Sequence, residues 1–98
     1  METVAVTDLY NASYLLLSGC ALTGIECQPT GTRNITCTMF FSGPGVSTIN
    51  DTFLSGKAVV NLWAFRRAYA QTHTFINQAK KGYFRHAPIA VPGEVAHD

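Results

Sequence analysis

Ninety-eight residues with 47% hydrophobic and 13% charged side chains fit one domain with an ample core and an unusually neutral surface. No run reaches the roughly 18 apolar residues a membrane span needs, and three cysteines, an odd number, argue against a disulfide framework. The formal net charge of +1 conceals a division, because residues 1–51 sum to −3 and residues 52–98 to +4. Such polarity is compatible with an anionic partner for the C-terminal half; the plain alternative is that a few surface charges fell unevenly.

Taken in order, Thr3–Val6 alternates weakly and predicts a short first strand. Thr7 is expected to cap a helix, with Asp8 in its first turn where negative charge is favoured. Leu9, Ala12, Ser13 and Leu16 mark one face of that helix, and Tyr10, Tyr14 and Leu17 mark a second, so cover on two sides is expected. Gly19 is a plausible terminator. Leu17-Ser18-Gly19-Cys20 looks like the cleavage box of a bacterial lipoprotein, but no Lys or Arg precedes it and Asp8 and Asn11 interrupt the apolar stretch. The expectation is therefore an unprocessed cytoplasmic protein. The sequons Asn11-Ala12-Ser13, Asn34-Ile35-Thr36 and Asn50-Asp51-Thr52 read as coincidences of a Ser- and Thr-rich chain.

Ala21–Gln28 reads as a strand, Pro29-Thr30-Gly31-Thr32 as a turn, and Arg33–Phe41 as the clearest strand of the chain. Ile35, Cys37, Met39 and Phe41 share one of its faces; Asn34, Thr36 and Thr38 share the other. A hairpin centred near Thr32 sets Cys27 opposite Cys37 on the apolar face. Two packed thiols are expected there, with a disulfide as the alternative. Glu26 points away from that face, either to solvent or into a polar contact with a partner or with Arg33.

Ser42-Gly43-Pro44-Gly45 breaks the sheet. Val46–Leu54 predicts a short helix with Ile49, Phe53 and Leu54 inward. Ser55-Gly56-Lys57 turns, and Ala58–Val60 is long enough for a brief strand. The longest helix falls within Val59–Gly82, with Asn61 as its cap. Leu62, Phe65, Tyr69, Thr72, Ile76 and Ala79 recur at steps of three and four on one face, with Trp63 and Phe75 off it. Lys80 and Lys81 suit the negative end of the helix dipole, and Gly82 suits a stop. Residues 1–82 thus read as a compact α+β domain, order β-α-β-β-(α)-β-α with an antiparallel sheet. Residues 83–98, with two prolines and no helical period, read as an extended tail that folds only on docking, for instance on another subunit.

The order of these signals resembles a family of short phage and mobile-element proteins catalogued as a domain of unknown function. The matching pieces are Thr7-Asp8-Leu9 (lacking an intervening residue), Ala12-Ser13-Tyr14-Leu15, Gly19, Leu22-Thr23-Gly24-Ile25-Glu26, Phe40-Phe41, Phe53, Gly56-Lys57-Ala58-Val59-Val60 and Phe65-Arg66-Arg67-Ala68. They cover about residues 5–78. The acidic and Lys-rich character expected around the last two helices is reduced here, and the tail after Gly82 is extra. The resemblance implies an α+β order and a mobile-element setting, and brings no activity and no catalytic residues.

Catalysis would need a nucleophile beside a base. Cys20, Cys27 or Cys37 could pair only with His73, His86 or His97, and none lies in a recognisable motif. Cys27 and Cys37 offer two metal ligands without a clear third, and no phosphate-binding glycine loop is present. No enzyme activity and no cofactor are expected. From Thr52 to Gly93 the chain holds six Lys and Arg and no Asp or Glu. Arg66, Arg67, Lys80, Lys81 and Arg85 could neutralise phosphates, and Trp63, Tyr83 and Phe84 could stack on bases, so single-stranded nucleic acid or RNA is the leading partner. No RNA-recognition, helix-turn-helix or zinc signature accompanies them. The alternative is a homo-oligomeric accessory protein that engages a host protein through apolar contacts, or sequesters a small ligand.

Overall fold

The strand with the cleanest alternation occupies the centre of the sheet. In a computed structural model, which describes residues 2–31 and 34–85, β3 (Ile35–Ser42) pairs on one side with β1 (Thr3–Val6) and on the other with β2 (Ala21–Pro29). Both pairings are antiparallel and the order is β1-β3-β2. Cys37, Met39 and Phe41 project into the core and are at most 6% exposed, as expected of alternate positions on a half-buried strand. Cys27 lies opposite Cys37, the pairing expected of a hairpin centred near Thr32, although Pro29, expected in the turn, still pairs with Ile35. The Thr30 N–H donates to the Asn34 carbonyl at 2.9 Å to begin the turn. Arg33, the proposed partner of Glu26, lies outside the described residues; Glu26 itself is exposed.

A bulge in β2 resolves a conflict in its sequence. Leu22 and Ile25 are three positions apart, so a regular strand would send them to opposite faces. The register shifts between Leu22, opposite Phe41, and Gly24, opposite Phe40. Thr23 is the extra residue, and its Oγ1 donates to the Phe40 carbonyl at 3.1 Å. Both Leu22 and Ile25 consequently pack on the core.

Among the described residues, three helices complete the fold. α1 (Leu9–Leu17) is capped by Asp8, whose carboxylate accepts from the Tyr10 N–H at 3.0 Å. The cap thus falls one residue after Thr7, at a side chain that meets the N2 donor. Its other end closes as a Schellman motif: Gly19, with φ 93°, donates to the Leu16 carbonyl and Cys20 to the Leu15 carbonyl, each at 3.1 Å. The buried residues of α1 are Asn11, Ala12, Ser13 and Leu15. Cover on two sides is present, because α2 (Val46–Leu54) meets α1 through Asn11 Nδ2 donating to Asn50 Oδ1 at 2.7 Å and through Tyr14 against Phe53. Asn11 and Leu15 were absent from both expected faces.

α3 (Leu62–Arg85) is the longest element. Asn61 caps it, accepting from the Ala64 N–H at 2.9 Å. Small residues mark its crossing with α1: Ser13 and Thr72 are fully buried beside Ala12 and Ala68, and Ser13 Oγ approaches Thr72 Oγ1 at 3.4 Å. Each hydroxyl also donates into its own helix, Ser13 to the Leu9 carbonyl and Thr72 to the Ala68 carbonyl. No buried polar side chain among the described residues lacks a partner.

Four expectations are corrected. Ala58–Val60 forms no strand, so the sheet has three strands, and Val59 is 91% exposed. Gly82 does not stop α3, which continues to Arg85. A glycine costs about 1 kcal/mol inside a helix, which permits a stop without compelling one. Leu62 and Leu54, both expected inward, are 71% and 66% exposed; each sits at a helix end that its periodicity continued past the packed region. Residues 86–98, most of the expected tail, lie outside the described residues.

Candidate nucleic-acid interface

Helical spacing sorts the cationic residues of α3 before any partner is considered. Trp63 and Arg66 are one turn apart, and the Arg66 guanidinium carbon lies 5.7 Å from the Trp63 ring centroid, a cation–π distance. Stacking on the indole holds the guanidinium plane while leaving its N–H donors to solvent. Arg67 is exposed on the neighbouring line of the helix. Together with Ala70, Trp63, Arg66 and Arg67 line a shallow depression of about 180 Å³. Lys81 is exposed and follows Trp63 by five full turns, about 27 Å along the same line of the helix.

The structure separates Lys80 from this group. It is half-buried and turns toward the sheet, where it lines a different cleft with Thr7, Ile35, Cys37 and Ile76. The side chains of Tyr83, Phe84 and Arg85, and residues His86 and His97, lie outside what is described.

Three aromatic residues that sequence reasoning did not assign to the site adjoin Arg66. Tyr10 of α1 inserts between two rings of α3, with its centroid 6.2 Å from Phe65 and 5.3 Å from Tyr69, each pair inclined by 23°. His73 continues the column, 6.2 Å from Tyr69. The two Tyr10 pairs are offset-stacked, and the Tyr69–His73 pair is tilted by 35°. Tyr10, Phe65, Arg66, Tyr69 and Ala70 line a cleft of about 360 Å³. Tyr10 remains 57% and Trp63 65% exposed, so ring faces and edges are open beside a fixed cation. In the sequence, Phe65 and Tyr69 belonged to the inward stripe and Tyr10 to the second face of its helix. The available signal was that aromatic residues occupied both stripes.

The thiols present a different chemistry. Cys27 and Cys37 Sγ approach to 2.7 Å with no disulfide between them. Burial, and then the hydrogen bond and charge of Cys27, push the Cys37 thiol up to about 12, against a smaller lowering by Lys80. Burial also raises Cys20. Among the described residues, no three His, Cys, Asp or Glu side chains are grouped as metal ligands would be, and no helix is long and apolar enough to cross a membrane. Comparisons with protein-family models, with curated proteins and with solved structures find no match to this chain.

Proposed function

We propose that this chain is a non-catalytic binding module that takes single-stranded nucleic acid or RNA on the aromatic and cationic face formed by α3 and Tyr10. One observation carries the reading: Arg66 lies over Trp63 and also lines the open cleft of Tyr10, Phe65 and Tyr69, so two neighbouring aromatic depressions share one cation. Aromatic faces accept any base, at about 1–3 kcal/mol per stacked base, while neighbouring cations neutralise the backbone. Arg66 and Arg67 supply that charge beside the rings, and Lys81 extends it along the helix. Lys80 has no part in this surface. The resemblance to phage and mobile-element proteins supplies the proposed setting.

Trp63 is the chain's single tryptophan, so its emission reports on the site directly. Titration with oligouridylate is expected to quench that emission saturably, and Arg66→Glu with Arg67→Glu to abolish the quenching at moderate salt. Unchanged emission with the wild-type protein, at concentrations where the fold is intact by circular dichroism, would refute the proposal.

A second reading rests on a separate observation. Leu54, Val59 and Leu62 are exposed within one short stretch from the end of α2 to the start of α3, and large apolar side chains left open to water suit a protein contact. It supports a homo-oligomer or a contact with a host protein. Light scattering coupled to size exclusion distinguishes the two readings: an apolar contact persists at high salt and responds to Leu62→Asp, whereas nucleic-acid binding is lost with salt.

A further inference from the structure

We propose that Cys27 and Cys37 are a modification site, a cross-strand dithiol that closes reversibly to a disulfide by exchange with a low-molecular-weight disulfide such as oxidised glutathione. The two residues are directly paired in the β2–β3 register and lie on the same face of the sheet. Their sulfurs are 2.7 Å apart, against about 2.05 Å in a disulfide, so closure needs a small adjustment of side chains already aimed at each other. Directly opposed strand residues also bring their Cβ atoms close to the separation a disulfide spans.

The surroundings divide the two thiols by role. Cys27 is partly exposed and Cys37 is 6% exposed, so an incoming disulfide meets Cys27 first. The Cys27 thiolate attacks one sulfur of the oxidant, its S–S bond breaks, and the first small thiolate leaves. Cys37 then gives up its proton and attacks Cys27 Sγ, expelling the second small thiolate as the protein disulfide forms. Two electrons and two protons pass from the protein dithiol to the oxidant, which leaves as two thiols. Burial holds Cys37 protonated, and Lys80, beside it in the cleft of about 240 Å³, opposes that only in part; once Cys27 is bonded to the small thiol, its hydrogen bond and charge no longer hold the Cys37 proton in place. Cys20 has no share in the site: it lies seven residues before Cys27, roughly 20 Å away at the rise of a strand.

The test uses the full chain carrying Cys20→Ala, which leaves the pair as its only thiols. Equilibrated with mixtures of reduced and oxidised glutathione, this protein is expected to lose both reactive thiols together and the mass of two hydrogen atoms, to remain monomeric with respect to disulfide cross-links, and to regain both thiols with dithiothreitol. Its thermal midpoint is expected to rise on oxidation. Cys27→Ser, at the partly exposed position, removes the behaviour without emptying a core site. Retention of two free thiols throughout, a stable mixed disulfide on Cys27, or cross-linked dimers as the oxidised product would each overturn the proposal.

Discussion

Removing the cations of the proposed interface one at a time should change the salt dependence of binding in countable steps. Single-stranded nucleic acid gives a slope of log affinity against log salt of about −0.7 for each phosphate neutralised. Arg66, Arg67 and Lys81 are exposed on the surface carrying Trp63, so the wild-type slope is expected near −2, about a hundredfold weakening per tenfold increase in salt. Arg66→Gln should bring it to about −1.4 and the Arg66→Gln, Arg67→Gln double variant to about −0.7. Lys80→Gln should leave it unchanged, because Lys80 is turned into the cleft beside Cys37. Trp63→Ala should act differently, costing about 1–3 kcal/mol of stacking at every salt concentration with the slope preserved. Fluorescence anisotropy of a labelled oligouridylate over a salt series measures all five proteins. A slope that responds equally to Lys80 and Arg66, or that stays flat in the double variant, would refute the division of α3 into a binding line and a sheet-facing line.

Other perturbations test the fold on which that surface stands. Asn61→Ala removes the acceptor for the Ala64 N–H and should cost about 1 kcal/mol in urea unfolding. Deleting Thr23 removes the bulge but leaves Leu22 and Ile25 two positions apart, still on the core face of a regular ladder, so the expected loss in urea unfolding is no more than that of the Thr23 hydroxyl's hydrogen bond to Phe40, about 1 kcal/mol. Cys37 makes stability fall in alkali. Its folded-state value lies above 9, so its contribution is complete below about pH 9 and is lost as pH rises toward about 12, at no more than about 1.4 kcal/mol per pH unit. Denaturation midpoints of wild type and Cys37→Ala between pH 8 and 11 are expected to converge as pH rises, and parallel curves would contradict the assignment.

Local pattern made the hairpin legible. A period of two from Ile35 to Phe41, a turn signal at Pro29–Thr32 and one assumed centre were enough to pair Cys27 with Cys37, because register in a half-buried hairpin follows from alternation and turn placement. Helix caps were legible for the same reason at Asn61 and Gly19, where the donors and acceptors are neighbours in sequence. Ala58–Val60 failed because a strand exists only beside a partner, and both edges of this sheet are made without it. Leu54 and Leu62 failed because periodicity names a face without saying where along the helix its cover ends.

The interface divides along the same line. Trp63, Arg66 and Arg67 are close in sequence on one helix, so spacing alone could group them; Lys80 was misplaced because its neighbours come from β3 and the segment before α1. Tyr10 could not be placed from sequence, since its position between Phe65 and Tyr69 depends on how near α1 and α3 approach. That approach is set where Ser13 meets Thr72, with Ala12 and Ala68 buried alongside. Small side chains there let two helices pack closely, and Tyr10 lies one turn before Ser13 on α1. The small residues of the crossing, two of them polar, thus set the spacing of the rings on the surface. A binding face read only from its charges would overlook the contact that holds its aromatic half in place.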